Sequence, residues 1–137
     1  MVHRSTVARF STSAAAVRWL RAQGVDMARL AIGGDSAGGG LTLATLLSLR
    51  DTGAPLLIHV SATETLFDDA TRVADKARAA GVSVTYREWR DVPHVWQLFH
   101  PMLPEARESL ADIARFVVER TSAAIFPPCE SGHVSAR

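Results

Sequence analysis

The sequence predicts an α/β protein in three layers, with a small, mostly parallel sheet of about three strands flanked by helices. Three observations lead there. Segments with helical spacing of apolar residues alternate with short apolar runs, in the order helix, strand, helix, strand, helix, strand, helix. That alternation is the mark of parallel strands joined by right-handed crossovers. The run Pro55 to Val60 is apolar almost throughout, as suits a strand covered on both faces. Finally, Gly24 and Gly81 fall where two helices would need a residue tolerant of left-handed backbone.

Each element has its own justification. Residues 12–22 carry Ala14, Ala15, Val17, Trp19 and Leu20 with arginines between them, which reads as a helix closed by Gly24. Asp26-Met27-Ala28 turns the chain, and Arg29 to Gly33 reads as a short buried strand. Ala37 to Arg50 is rich in leucine and alanine and reads as a helix closed by Thr52-Gly53. Pro55 to Val60 is the second strand. Phe67 to Ala80 is an amphipathic helix with Val73, Ala77 and Ala80 on one side and Gly81 as its cap. Val82 to Trp89 alternates apolar and polar residues, a pattern that fits an edge strand. Pro104 to Arg120 is a terminal helix with proline in its first turn and Leu110, Ile113, Phe116 and Val117 as its apolar stripe. Pro127-Pro128 and Ser131-Gly132 mark the rest as an unstructured tail. The expected organisation is one domain over 1–121 and a tail over 122–137.

Composition narrows the function classes. The chain has 137 residues, 47% of them hydrophobic and 21% charged, which suits one globular domain rather than a disordered chain. Its net charge of +1 gives no electrostatic case for nucleic acid or an anionic membrane. Cys129 is the one cysteine, so no internal disulfide can form, and no His/Cys spacing suggests a metal site. Met1 to Ser5 lacks the apolar run of a signal peptide, and no window approaches the roughly 18 apolar residues of a membrane span. A cytoplasmic location without a transmembrane segment is the expectation.

The chemistry is written most clearly in Gly34-Asp35-Ser36-Ala37-Gly38. This G-x-S-x-G sequence lies between an apolar run and a helical segment, the context of a nucleophile elbow. A serine forced into a sharp turn needs neighbours without a Cβ, which Gly34 and Gly38 supply. The helix that begins there points free N–H groups, Ala37 first, at the spot where an oxyanion would develop. The bland alternative is a turn serine in a phosphate-binding loop, but the loop lacks the G-K-[ST] ending of a Walker site.

A serine hydroxyl needs a base and a group that orients the base, and open α/β folds gather such groups at the carboxyl ends of their strands. Past the first expected strand comes Ser36. Past the second come Glu64 and then Asp68 and Asp69, and past the third comes His94. The order serine, carboxylate, histidine is that of the α/β-hydrolase triad. Glu64 lies in the loop itself and is the preferred acid. Asp68 is the alternative, although acidic residues at a helix start also serve the helix dipole. His94 taken alone would read as a surface histidine. His3, His59, His100 and His133 lack its placement. Trp96 and Phe99 fit either a pocket beside His94 or plain helix packing.

These segments resemble a known family. Gly34-Asp35-Ser36-Ala37-Gly38-Gly39 is similar to the elbow of the hormone-sensitive-lipase-like branch of the α/β-hydrolases. Leu56 to Val60 followed by Glu64-Thr65-Leu66-Phe67-Asp68-Asp69-Ala70 resembles the segment carrying that family's triad acid, and Pro93 to Phe99 resembles its histidine segment. The likeness runs from about residue 12 to residue 120. It implies a carboxylic ester hydrolase acting on small-molecule esters of short to medium acyl chain, with no cofactor. It also implies Ser36, Glu64 and His94 as the catalytic residues.

The departures are equally definite. Complete members carry further strands before the elbow and a His-Gly-Gly-Gly loop that supplies oxyanion-hole donors, and no His-Gly-Gly occurs here. They also carry a strand and a cap region between the elbow helix and the acid-bearing strand, where this chain runs directly from Arg50-Asp51-Thr52-Gly53-Ala54 into Pro55. The chain therefore looks like a partial α/β-hydrolase, a C-terminal half with an internal deletion. If the acid-bearing strand now pairs with the nucleophile strand, Glu64 moves toward Ser36 by about one strand spacing, roughly 4.8 Å. A three-stranded sheet exposes two edges, so self-association through them is expected. The competing readings are a serine esterase, a non-catalytic remnant that merely associates with other chains, and a subunit completed by a separate chain.

Overall fold

The computed structural model describes residues 4–49 and 53–122. Helix α1 spans Arg4–Ala22 and α2 spans Ala37–Leu49. Strand β1 (Leu56–Ser61), helix α3 (Phe67–Ala79) and strand β2 (Val84–Trp89) follow, and α4 (Pro104–Ser122) closes the described chain. Short 3₁₀ turns cover Met27–Arg29 and Trp96–Phe99. Helix α1 begins well before the expected residue 12, and α4 runs through Ser122, one residue into the stretch expected as tail. The remainder of that tail lies outside the described residues.

Strands β1 and β2 are parallel, in register from Leu56 opposite Val84 to Ser61 opposite Trp89, and α3 is their crossover. Side chains alternate across a strand, so Leu57, His59 and Ser61 share a face with Thr85, Arg87 and Trp89. Helix α4 covers that face: Arg87 pairs with Asp112 and, at 3.0 Å, with Glu108. The opposite face meets α3, where Tyr86 Oη and Thr71 Oγ1 lie 2.9 Å apart and the Arg78 guanidinium stands over the Tyr86 ring. The three layers expected from the sequence are therefore helix, parallel sheet, helix.

The sheet differs from expectation in strand number. The segment Arg29–Gly33, expected as a buried strand, has no ladder partner among the described residues, and 31–34 are exposed. Leu30 is extended, with φ −101° and ψ 126°. The apolar run thus sets an extended backbone, but a strand also requires a neighbour, and β1 gives its described ladder to β2 alone. The direct pairing of acid-bearing and nucleophile strands does not occur. Helices α1 and α2 instead pack on each other, and α4 also reaches the Met27–Arg29 turn.

Helix ends are set locally. After α3, Gly81 takes φ +81°, its N–H reaches Arg78 O at 2.9 Å, and Val82 N–H reaches Ala77 O at 3.0 Å. This paired arrangement satisfies the last carbonyls of the helix and requires left-handed backbone. Gly24 ends α1 in the same way, with bonds to Arg21 and Leu20. Asp26 caps the following turn through its carboxylate, which accepts from Ala28 N–H at 2.9 Å.

The core lies under the carboxyl ends of the strands. Trp89, Val92, Trp96 and Ala106 form one buried cluster, with Leu103 packed against it. The two indole centroids are 5.8 Å apart. His59 joins them, 6.0 Å from Trp89 edge-on and 6.5 Å from Trp96 in a stacked arrangement. Its Nδ1 lies 2.8 Å from Ser109 Oγ, which also accepts from Gln97 Nε2 at 2.9 Å. Gln97 is the donor in its contact, the direction of the His59–Ser109 bond follows the imidazole tautomer, and His59 Nε2 is buried without a partner among the described residues.

Burial, reinforced by the Arg87 charge, lowers the His59 pKa from 6.5 to about 4. An unfolded histidine titrates near 6.5. Between those pH values the unfolded chain binds a proton that the folded chain refuses, so stability falls as pH drops from about 6.5 toward 4. Thermal melts at pH 7.5 and pH 5 are expected to show the lower Tm at pH 5. The variant His59→Gln is expected to reduce that difference, and an identical difference in both proteins would contradict the assignment.

Candidate active site

The site grows out of the strand register. Parallel neighbours end side by side, and the ladder continues one step past β1 through Ala62 N–H to Trp89 O at 2.8 Å. The chain then turns, with Glu64 N–H bonded to Ser61 O at 3.2 Å and Phe67 N–H to Glu64 O at 3.2 Å. Glu64 thus lies three residues beyond the end of β1, and His94 five residues beyond the end of β2. The two side chains meet: His94 Nδ1 is 2.8 Å from Glu64 Oε2. The Glu64 side chain is 9% exposed and the His94 side chain 44%. A carboxylate only accepts, so the proton of this bond lies on Nδ1, and in the neutral ring the lone pair is then on Nε2. Asp68, the alternative acid, is exposed in the first turn of α3.

Backbone strain accompanies this pair. Among non-glycine residues with positive φ are Asp91 (56°) and Val95 (54°), which bracket the histidine loop. A β-branched residue in the left-handed region is a true outlier. The strain is held by buried anchors on either side of His94, Val92 at 4% exposure and Trp96 at 2%. Trp96 is therefore a core residue, and Phe99 is 39% exposed.

The third positive φ belongs to Ser36, at 51°. The turn around it closes tightly, with Gly38 N–H bonded to Asp35 O at 2.6 Å and Gly39 N–H to Ser36 O at 3.1 Å. A Cβ built on Gly34 would overlap the carbonyl carbon and oxygen of Gly38 and lie 2.9 Å from its Cα, whereas a Cβ on Gly38 would meet nothing within 4 Å. The two glycines of the motif are thus unequal: Gly34 is required by close backbone approach, and Gly38 is not. The Ser36 residue is exposed. Its hydroxyl makes no hydrogen bond to a described residue, and neither does the Ala37 N–H at the start of α2. The structure brings Glu64 and His94 together and does not hydrogen-bond Ser36 to them. Among the described residues, no three His, Cys, Asp or Glu side chains converge as a metal site would require. No described helix is long and apolar enough to cross a membrane.

Reading the sequence alone overlooked two residues of this region. His59 gave only an apolar strand context, and its burial follows from the face it shares with Trp89. Ser61 was visible only as a polar residue at the end of an apolar run, yet it is fully buried.

A family model described as alpha/beta hydrolase fold matches residues 5–57 and 52–98. The chain is 28% identical over 169 residues to an acetyl-hydrolase of Streptomyces hygroscopicus, covering 75% of this chain and 56% of that protein. An alignment longer than the chain itself opens gaps in it, in keeping with an internal deletion. A carboxylesterase/phospholipase, LipF, of Mycobacterium tuberculosis is 42% identical over 74 residues, which are 54% of this chain and 20% of LipF. Among solved structures, the esterase EstE5 soaked with p-nitrophenyl butyrate superposes with a TM-score of 0.78 at 30% identity, over 83% of this chain and 60% of EstE5. An esterase of the bacterial hormone-sensitive lipase family gives 0.75 at 30% identity, over 82% of this chain and 60% of that one. The chain thus spans little more than half the length of the acetyl-hydrolase and 60% of the two esterase structures.

Proposed function

The chain belongs to the α/β-hydrolase fold family, with esterases of the hormone-sensitive lipase type among its structural neighbours, and we propose that it is a serine carboxylic ester hydrolase acting through an acyl-enzyme. The observation that carries this reading is the 2.8 Å bond between His94 Nδ1 and Glu64 Oε2. It supplies an oriented base whose Nε2 is ready to accept a proton, at the rim of the sheet where the elbow sequence is expected to present Ser36.

In the proposed mechanism Ser36 Oγ attacks the ester carbonyl carbon and passes its proton to His94 Nε2. The carbonyl oxygen becomes an oxyanion, for which the free Ala37 N–H is the available donor. Glu64 stabilises the imidazolium and keeps its orientation. The proton then goes from His94 to the departing alkoxide, the C–O bond breaks, and the acyl group remains on Ser36. Water, deprotonated by His94, attacks that acyl carbon; the bond from the acyl carbon to Ser36 Oγ then breaks, Oγ takes the proton back from His94, and the acid is released with Ser36 restored. The substrates proposed are small esters of short to medium acyl chain, and no cofactor is needed. Catalytic hydrogen bonds are often long before substrate binds and tighten in the complex, so an unbonded Ser36 is compatible with the scheme.

The same unbonded Ser36 favours a second reading, a hydrolase remnant without turnover. The two separate cleanly in solution. The esterase reading expects a fluorophosphonate probe to form an adduct that peptide mapping assigns to Ser36, and expects heat-denatured protein to lose it. A folded chain that takes up no probe and releases no nitrophenol above buffer is the remnant.

A further inference from the structure

Resting on that assignment of Ser36, Glu64 and His94, we propose that Ser61 is a positioning residue whose buried hydroxyl locks the carboxylate loop to the histidine loop. Ser61 ends β1 and is 0% exposed. Its Oγ donates to Val92 O at 2.6 Å, across 31 residues of sequence. The same oxygen lies 3.1 Å from Thr63 Oγ1 and accepts from Thr63 N–H at 3.4 Å. Thr63 Oγ1 adds a longer contact to Val92 O, at 3.5 Å. A hydroxyl has one proton to give and two lone pairs. Here the proton goes to the histidine loop, two residues before His94, while the oxygen holds the carboxylate loop, one residue before Glu64.

The arrangement matters because the histidine loop is under strain. Asp91 and Val95 hold left-handed backbone, a conformation that persists only where its surroundings enforce it. Trp96 fixes the far side of His94, and Val92 with its tethered carbonyl fixes the near side. Removing the Ser61 hydroxyl, as in Ser61→Ala, leaves the Val92 carbonyl with only the 3.5 Å contact to Thr63 Oγ1 among the described side chains. The loop can then relax toward ordinary backbone and carry the imidazole away from Glu64. Displacements near 1 Å cost on the order of 100-fold in rate, and a partial shift proportionately less.

The test compares full-length wild type, Ser61→Ala and Ser109→Ala. Ser109 is a second fully buried serine whose partners are His59 and Gln97, so it controls for loss of a buried hydroxyl as such. Ser61→Ala is expected to lower kcat for p-nitrophenyl butyrate by about 10-fold with KM within about 2-fold, and Ser109→Ala is expected to leave kcat within about 2-fold. Proton NMR supplies a readout independent of turnover. The hydrogen-bonded Nδ1 proton of His94 gives a low-field signal that Ser61→Ala weakens and Ser109→Ala preserves. Should Ser61→Ala fail to fold, Thr63→Val at an exposed position loosens the same tether and is expected to weaken that signal in part. Equal losses in the two serine variants, or an intact Nδ1 signal and kcat without the Ser61 hydroxyl, overturn the proposal. If wild-type hydrolysis does not depend on Ser36, the function reading fails, and the NMR comparison alone decides the role of Ser61.

Discussion

Ser36→Ala is expected to bring release of nitrophenol from p-nitrophenyl butyrate down to the buffer rate, a loss of at least about 10⁴-fold for a working triad. The reason is that, in the proposed scheme, the acyl-enzyme forms on Ser36 Oγ, the atom that the variant lacks. Glu64→Gln is expected to be nearly as severe, about 10⁴-fold, for a different reason. The amide presents an N–H or a carbonyl to His94, and the variant loses the charge that favours the imidazolium. When the amide donates, it forces the proton onto Nε2, where the base must be bare. Parts of one machine do not add, so the double variant is expected to be no slower than Ser36→Ala alone. Steady-state rates of the two single variants and the double variant settle this. A Ser36→Ala protein that retains wild-type turnover would show that the observed hydrolysis comes from other groups, and independent, additive losses would show that the two residues do not act together.

How much of this was legible beforehand depends on the range of the interaction. Helix ends were readable because they are decided within a turn: Gly24 and Gly81 sit where the backbone must turn left-handed, and each makes the bonds its position requires. The Glu64–His94 pair was readable because two parallel neighbours necessarily end at the same rim. The segment Arg29–Gly33 was misread because an apolar run specifies an extended conformation but not the strand that must lie beside it. Burial of Ser61 and His59 was invisible for a related reason. Both alternate onto the face beneath α4, and what a polar side chain meets there is decided by Val92, Ser109 and Trp96, which lie 31, 50 and 37 positions away in the chain. The strain at Val95 was equally hidden, since nothing in a valine suggests positive φ. It accompanies the burial of Val92 and Trp96 on either side of the exposed His94.

The sharpest separation between motif and mechanics lies within the elbow itself. Gly34→Ala is expected to abolish Ser36 labelling by a fluorophosphonate, with a fall of at least about 100-fold. The added Cβ would occupy the space of the Gly38 carbonyl, and both partners are backbone, so no side chain can swing aside. The turn must open, and Ser36 then leaves the left-handed conformation in which its backbone is held. Overpacking of this kind typically costs about 1–3 kcal/mol, so a lower Tm is expected alongside. Gly38→Ala is expected to behave oppositely. Its Cβ would meet nothing within 4 Å, and its φ is not positive. Since Gly38 lies in α2, alanine there gains about 1 kcal/mol of helix propensity. Labelling is expected to stay within a few-fold of wild type. If the two variants lost labelling to the same extent, the elbow would depend on both glycines for some reason other than backbone approach, and the geometry of the turn described above would be the wrong explanation for its sequence.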